Sequence, residues 1–144
     1  MKLVIDTNIV ISSIIQNSFT RQLMFNPVLE LFSPDYLLTE LENNKEEIIQ
    51  KAKISSKDFD DFIQITSKIV KIAPKQIYEQ YISEVKEIIE DKDDWPFAAL
   101  AIKLSENECG IWTNDKHFIS KKLQLFQTHQ ITVWTTKELA HFLQ

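Results

Sequence analysis

Short apolar runs alternate along the chain with longer segments in which apolar residues recur at helical spacing. The runs are three to five residues long, which is typical of buried strands. The predicted strands cover residues 3–5, 29–33, 70–72, 111–113 and 131–134. The predicted helices cover residues 9–15, 35–53, 55–69, 77–89, 96–106, 119–123 and 137–143. This alternation predicts an α/β fold with three layers, α/β/α, around a central, mainly parallel sheet.

Length and composition limit the architecture further. The 144 residues fit a single domain, 1–144, and the content of 44% hydrophobic and 26% charged residues is that of an ordinary globular protein. One glycine and four prolines argue against a disordered chain and against a turn-rich all-β fold. The single cysteine, Cys109, excludes an internal disulfide and a cysteine-based zinc site.

No segment has the features of a signal peptide or a membrane span. Asp6 interrupts the apolar start of the chain, and the apolar stretch 9–15 is far shorter than the ~20 residues that a membrane helix needs. We therefore expect a cytoplasmic protein without a membrane partner.

Two aspartates directly follow predicted strands. Asp6 follows strand 3–5, and Asp115 comes just after strand 111–113. In open α/β sheets, ligands bind beyond the carboxyl ends of the strands. Each aspartate alone is equally consistent with a turn or a helix cap. Two of them at one edge of one sheet favour a functional site.

Two further acidic residues are candidates on weaker grounds. Asp94 ends a dense acidic run before Pro96, where helix capping is a strong alternative. Helical spacing nevertheless aligns Asp94 with Ala98 and Ala101, a face of small residues that suits close packing on a sheet, so we expect Asp94 to point inward. Glu40 lies at the border of the apolar face of helix 35–53, and a surface position is the simpler interpretation.

The order and spacing of these motifs resemble those of the PIN-domain nucleases, and the resemblance covers essentially the whole chain. The motifs are LVIDTN at 3–8, Glu40 within a helix, DWPFAALA at 94–101 and WTNDKHF at 112–118. The resemblance implies a compact α/β/α domain with a central parallel sheet. It also implies a metal-dependent ribonuclease site of three or four acidic residues.

The resemblance assigns roles to individual positions. The residues that match the family's acidic positions are Asp6, Glu40, Asp94 and Asp115. Thr7 and Asn8 match the small polar residues after the first aspartate, and Thr113 matches the polar residue that closes the fourth strand. His117 departs from the pattern, because many relatives carry a second aspartate there, and we expect no site role for it. Asp93 is an alternative to Asp94, because the acidic run allows a slip of one residue.

The acidic set predicts a divalent cation. Clustered carboxylates repel one another and need a counter-charge. Oxygen ligands without cysteine or clustered histidine favour Mg²⁺ or Mn²⁺, which would activate a water and neutralise charge on the phosphate. We assign Asp6 and Asp94 as principal ligands. Glu40 and Asp115 would bind through water or orient the nucleophile. The family implies products with a 5′-phosphate and a 3′-hydroxyl.

Charge is the main difficulty for an RNA substrate. The net charge is −5, whereas phosphate binding normally uses a basic surface. Lys116, Lys121 and Lys122, with Lys103 nearby, form the best candidate for a phosphate-steering rim. The alternative is that these lysines simply solvate helix faces.

The predicted function is thus metal-dependent hydrolysis of RNA. The small size resembles the toxins of toxin–antitoxin pairs and fits RNA-processing nucleases equally. The resemblance adds an antitoxin protein and a second copy of the chain as candidate partners. The alternative function is a catalytically weak or inactive binding or scaffold module. A haloacid-dehalogenase-type phosphatase is disfavoured, because its second aspartate is replaced here by Asn8.

Overall fold

The structure is a computed structural model that describes residues 1–15 and 18–144. Within this part of the chain, one sheet contains five strands: β1 Lys2–Ile5, β2 Glu30–Pro34, β3 Val70–Ala73, β4 Cys109–Trp112 and β5 Val133–Trp134. Their spatial order is β3-β2-β1-β4-β5, and each neighbouring pair is parallel. The predicted central parallel sheet is therefore confirmed.

Helices cover the sheet, as the three-layer prediction requires. They are α1 Thr7–Ile15, α2 Ser18–Met24, α3 Tyr36–Asn43, α4 Lys45–Ala52, α5 Ser56–Ile69, α6 Lys75–Tyr78, α7 Ile82–Val85, α8 Trp95–Leu104, α9 Lys116–Ser120, α10 Lys122–His129 and α11 Thr136–Phe142. Short 3₁₀ helices span Glu79–Tyr81, Lys92–Asp94 and Ser105–Asn107. Across the described residues, every helix is too short or too polar to cross a membrane.

The pairing of β1 with β4 positions the residues that follow both strands. Ile5 pairs with Trp112 at the carboxyl ends of the two strands. The next backbone N–H, that of Asp6, donates to the carbonyl oxygen of Trp112 at 3.0 Å. Asp6 and Thr113 consequently leave the sheet side by side. The two neighbours of β1 in the sheet are β2 and β4, and these two strands lie far from each other in the chain. In parallel sheets this reversal of strand order opens a crevice at the carboxyl edge.

Helix α8 packs directly on the centre of this sheet. It contacts β1, β2 and β4. Its small residues Ala98, Ala99 and Ala101 are fully buried, so the helix backbone lies close to the strands. This close packing fixes the start of α8, and the acidic run before it, over the carboxyl edge.

The predicted helix 35–53 is divided into α3 and α4. The break falls at Asn44, whose φ and ψ of −102° and 8° are not helical. The Asn44 side-chain amide donates to the carbonyl oxygen of Glu40 at 2.7 Å and so competes with the helical hydrogen bonds. This contact from Asn44 holds the last turn of α3, which carries Glu40, in place.

The segment 77–89 forms no single amphipathic helix, so that prediction was wrong. Helix α6, a 3₁₀ helix and α7 follow one another instead, and all three pack against α8. Tyr78, Val85 and Ile89 stay buried, whereas Ile77 is 41% exposed. The change of helix type alters the phase of the apolar stripe, so that one of its predicted members faces solvent.

Other boundaries differ because tertiary contacts extend or create helices. Helix α2 was not predicted, and the Arg21 guanidinium ties it to the carbonyl oxygen of Ser13 at 2.7 Å. The predicted helix 119–123 corresponds to α9 and α10 together. The predicted start of α5 is confirmed, since Ser55 and Asp58 form a reciprocal capping box.

Gly110 is the chain's single glycine, and its position in β4 leaves no room for a side chain. A Cβ atom there would lie 2.7 Å from the carbonyl oxygen of Thr132 and 3.1 Å from the indole of Trp134. The segment before β5 can therefore lie this close to β4 only because residue 110 has no side chain.

We expect Gly110→Ala to destabilise the protein by about 1–3 kcal/mol, because a backbone oxygen must move to admit the methyl group. Urea unfolding followed by circular dichroism measures the change. Gln64→Ala, on the exposed side of α5, is the control. An unchanged unfolding midpoint for Gly110→Ala would show that β4 and β5 do not pack as described.

Candidate metal centre

Asp6 is a buried carboxylate at the carboxyl end of β1, with 4% of its surface exposed. Its Oδ2 accepts a hydrogen bond from the Thr113 hydroxyl at 2.7 Å, and the backbone N–H groups of Thr7 and Asn8 also donate to its carboxylate. These bonds favour the ionised form, but burial outweighs them. With the nearby charge of Asp115, burial raises the pKa of Asp6 from 3.8 to about 6.

Asp94 is the most strongly perturbed carboxylate of the site. It ends the 3₁₀ helix before α8 and is only 7% exposed. Its side chain makes no cap hydrogen bond to α8, and its Oδ2 has no hydrogen-bond partner among the described residues. Burial raises its pKa to about 8, and neighbouring negative charges add to the effect, namely those of Asp6, Asp115, Asp91 and Glu40. An orphaned buried carboxylate oxygen is costly unless a proton or a cation compensates it.

Glu40 faces the same site from α3. Its Oε1 accepts a hydrogen bond from the Thr7 hydroxyl at 2.6 Å, and the side chain is half-buried. Burial raises its pKa to about 7, and the charges of Asp6, Asp93 and Asp91 contribute. The structure therefore places Glu40 beside the acidic cluster, whereas the sequence pattern alone favoured a surface position.

Asp115 both caps a helix and contributes charge to the site. Its Oδ1 accepts the backbone N–H of His117 at 2.8 Å at the start of α9. Its own N–H donates to Thr113 Oγ1 at 3.0 Å, so Thr113 links Asp115 to Asp6. The charge of Asp115 raises the pKa of Asp6 and of Asp94. Asp115 thus caps α9 and adds negative charge beside Asp6 and Asp94.

The neighbouring residues of the acidic run lie in different surroundings. Asp93 is exposed, and its Oδ1 accepts the Tyr36 hydroxyl at 2.5 Å. Asp91, Asp94 and His117 each offer a ligand atom within 4.8 Å of the others. The sequence pattern gives His117 no site role, yet the fold brings it to Asp91 and Asp94. No local pattern indicates this grouping, because α9 and the acidic run meet only in the folded chain.

The three lysines of the predicted rim lie in different surroundings. Lys121 lines a cleft of about 440 Å³ next to Asp91 and His117. Lys122 is paired with Glu138, with its Nζ 2.6 Å from Oε2. Lys116 is exposed in the first turn of α9. Of these three lysines, Lys121 is therefore the one that lines the same cleft as Asp91 and His117.

The residues present suit a divalent cation. Four carboxylates influence one another's ionisation, and the Asp94 Oδ2 atom lacks a partner within the described chain. Carboxylate oxygens are the ligands that Mg²⁺ and Mn²⁺ prefer. The side chains that would hold such an ion are those of Asp6, Asp94, Asp115 and Glu40.

Comparisons with known proteins agree with this fold. The model of the PIN domain family matches residues 4–143, so the chain belongs to the PIN domain family, whose members are generally nucleases. A similar solved structure is that of VapBC2 from Rickettsia felis, bound to a DNA fragment from their promoter. The two chains are 18% identical in sequence and superpose with a TM-score of 0.59. The match covers 94% of this chain and 98% of the chain in that structure. At that identity the likeness shows the fold alone. The comparison with curated proteins gave no match.

The raised pKa values predict how stability depends on pH in the absence of metal. The pKa values of Asp6 (about 6), Glu40 (about 7) and Asp94 (about 8) lie above their ordinary values of 3.8, 4.5 and 3.8. The folded state therefore binds more protons than the unfolded state, and stability falls as the pH rises from about 4 to about 8. Urea unfolding at a series of pH values in the presence of a chelator measures this slope.

Asp94→Asn should flatten that slope and make the metal-free protein more stable than the wild type at pH 8, because the neutral amide removes the costliest charge. Asp60→Asn, an exposed change on α5, should leave the slope unaltered. Identical slopes for the wild type and Asp94→Asn would contradict the described environment of Asp94.

Proposed function

We propose that this chain is a metal-dependent ribonuclease that hydrolyses RNA phosphodiester bonds at the acidic carboxyl edge of its sheet. We propose further that residues 1–144 act as one domain. The observation that carries the proposal is the buried Asp94 carboxylate, whose Oδ2 has no partner in the described chain and is surrounded by other carboxylates. Such a group is destabilising for folding alone and useful for cation binding. Membership of a family that generally consists of nucleases supports the same activity.

The acidic residues divide into ligands and orienting groups in this proposal. Asp6 and Asp94, the two buried carboxylates, act as principal ligands of Mg²⁺ or Mn²⁺. Asp115 and Glu40 are more exposed and act through water or orient the attacking water. A cation bound there would lower the pKa of a water and neutralise charge that develops on the phosphate.

Hydroxyl groups hold the carboxylates in place. The Thr113 hydroxyl donates to Asp6 and accepts the backbone N–H of Asp115, so one side chain sets the separation of two acidic residues. The Thr7 hydroxyl holds Glu40 in the same way. Asn8 is exposed next to Thr7 and is available to donate to a phosphate oxygen. This pre-ordering reduces the reorganisation that the reaction requires.

RNA contacts are proposed on the α9 side of the site. Lys121 lies in the cleft beside Asp91, and Lys116 is exposed one turn earlier. Lys122 belongs to the same rim, but its ion pair with Glu138 leaves it less free to move toward a phosphate. Because the net charge is −5, binding to bulk RNA should be weak, and selection would rest on shape or on a partner.

We propose that the partner is an antitoxin protein and that the chain is the toxin of such a pair. The solved structure of similar fold, VapBC2, was bound to a DNA fragment from their promoter, so the same fold occurs there in a promoter-bound assembly. We also propose a homodimer, which light scattering on the purified protein would detect by its mass.

The activity is tested on single-stranded RNA with Mn²⁺. The wild type should cleave, and a chelator should abolish cleavage. Asp6→Asn and Asp94→Asn should each lower the rate on the order of 100-fold or more, because each removes a charge that holds the cation. Asp60→Asn should cleave like the wild type. Denaturing gels resolve the products and their 5′-phosphate ends.

Cleavage that survives chelation, or that persists in both site variants, would contradict the proposed mechanism. Absence of cleavage on any RNA, together with no Mg²⁺- or Mn²⁺-dependent stabilisation, would favour a binding or scaffold module.

A further inference from the structure

We propose that Asp91, Asp94 and His117 form a cation position with one nitrogen ligand, which binds a divalent transition metal such as Mn²⁺ more tightly than Mg²⁺. The proposal rests on the proposed function in one respect, since Asp94 is shared with the RNA-cleaving site. It adds Asp91 and His117 to the candidate ligands, and it names the class of cation.

The three side chains converge from two parts of the chain. Asp91 precedes the 3₁₀ helix Lys92–Asp94, Asp94 ends it, and His117 lies in the first turn of α9. Their ligand atoms all lie within 4.8 Å of one another. Two ligands on opposite sides of an ion are about 4.4 Å apart when each bond is about 2.2 Å. Small side-chain rotations therefore suffice to bring all three onto one cation.

Asp94 supplies an independent indication of a ligand at this place. Asp94 is only 7% exposed, and its Oδ2 finds no hydrogen-bond donor in the described chain. Buried polar atoms in native proteins are nearly always satisfied, so an unsatisfied one indicates a missing partner. Asp91 already uses Oδ1 to accept the Asp93 N–H at 3.0 Å, which holds its carboxylate in position.

His117 is arranged so that its ring can reach a cation. The side chain is 76% exposed, so rotation of the ring meets little resistance. Its Nδ1 lies 3.6 Å from Asp115 Oδ1. A histidine that binds a metal usually donates its other ring N–H to a carboxylate, and Asp115 is placed to accept it. His117 and Asp91 also line the 440 Å³ cleft, so both side chains are open to solvent.

The nitrogen ligand determines the selectivity. Mg²⁺ is bound by oxygen atoms and keeps several waters. Imidazole is a ligand of divalent transition metals, and Mn²⁺, although it prefers oxygen ligands, accepts an imidazole beside carboxylates more readily than Mg²⁺ does. A set of two carboxylates and one imidazole should therefore bind Mn²⁺ through His117. Binding of Mg²⁺ should depend on the carboxylates alone.

Metal binding to the purified chain tests the inference directly. Mn²⁺ affinity is measured by electron paramagnetic resonance of free Mn²⁺, and Mg²⁺ affinity by competition. His117→Ala should weaken Mn²⁺ binding on the order of 10-fold or more. The same change should alter Mg²⁺ affinity by less than about threefold. Asp91→Asn should also weaken Mn²⁺ binding, and His141→Ala, on α11, is the matched control.

A spectroscopic readout identifies the ligand itself. Pulsed electron paramagnetic resonance of the Mn²⁺-bound wild type should show coupling to a histidine nitrogen, which His117→Ala should remove and His141→Ala should retain. Thermal unfolding without metal confirms that each variant is folded. Absence of the nitrogen coupling in the wild type, its persistence in His117→Ala, or equal losses of Mn²⁺ and Mg²⁺ affinity would each overturn the inference.

The outcomes separate this inference from the proposed function. If Mn²⁺ couples to a histidine nitrogen but the protein cleaves no RNA, the cation position is supported and the ribonuclease function is contradicted. If Mg²⁺ and Mn²⁺ support RNA cleavage equally and His117→Ala leaves cleavage unchanged, the ribonuclease function is supported and the nitrogen ligand is contradicted.

Discussion

Because β1 and β4 pair in parallel with Ile5 beside Trp112, the chain after each strand leaves the sheet at the same place. The hydrogen bond from the Thr113 hydroxyl to Asp6 Oδ2 is the direct result, at 2.7 Å between residues 107 positions apart. The same hydroxyl accepts the backbone N–H of Asp115. The remaining acidic side chains assemble around this contact, so the geometry of the site depends on the register of one strand pair.

The concentration of carboxylates at this edge works against folding. Asp6 and Asp94 are buried, and their pKa values of about 6 and 8 show that ionisation is disfavoured where they lie. The apolar core supplies the stability that tolerates them. Ala98 and Ala101 of α8 are central to this compromise, since their small side chains let the helix hold Asp94 against the sheet. Such a conflict between local stability and charge is typical of functional sites.

The approach of α9 to the acidic run widens the chemistry of the site. A family-typical acidic set would offer oxygen atoms only, whereas His117 offers a nitrogen beside Asp91 and Asp94. The cleft at this point also contains Lys121. One side of the centre is thus a buried set of carboxylates, and the other is an exposed mixture of acidic, basic and imidazole groups.

The sequence by itself determined the alternation of strands and helices, the parallel sheet and the positions of Asp6 and Asp115, because these depend on local periodicity and on strand ends. It also predicted the inward direction of Asp94, since helical spacing relates that residue to Ala98 and Ala101. Glu40 was found only by family resemblance, because its position within α3 is at the border of an apolar face. The tertiary structure alone decided the break at Asn44, the division of segment 77–89 and the meeting of His117 with Asp91. Those features depend on contacts between segments far apart in the chain, and no local pattern of residues specifies them.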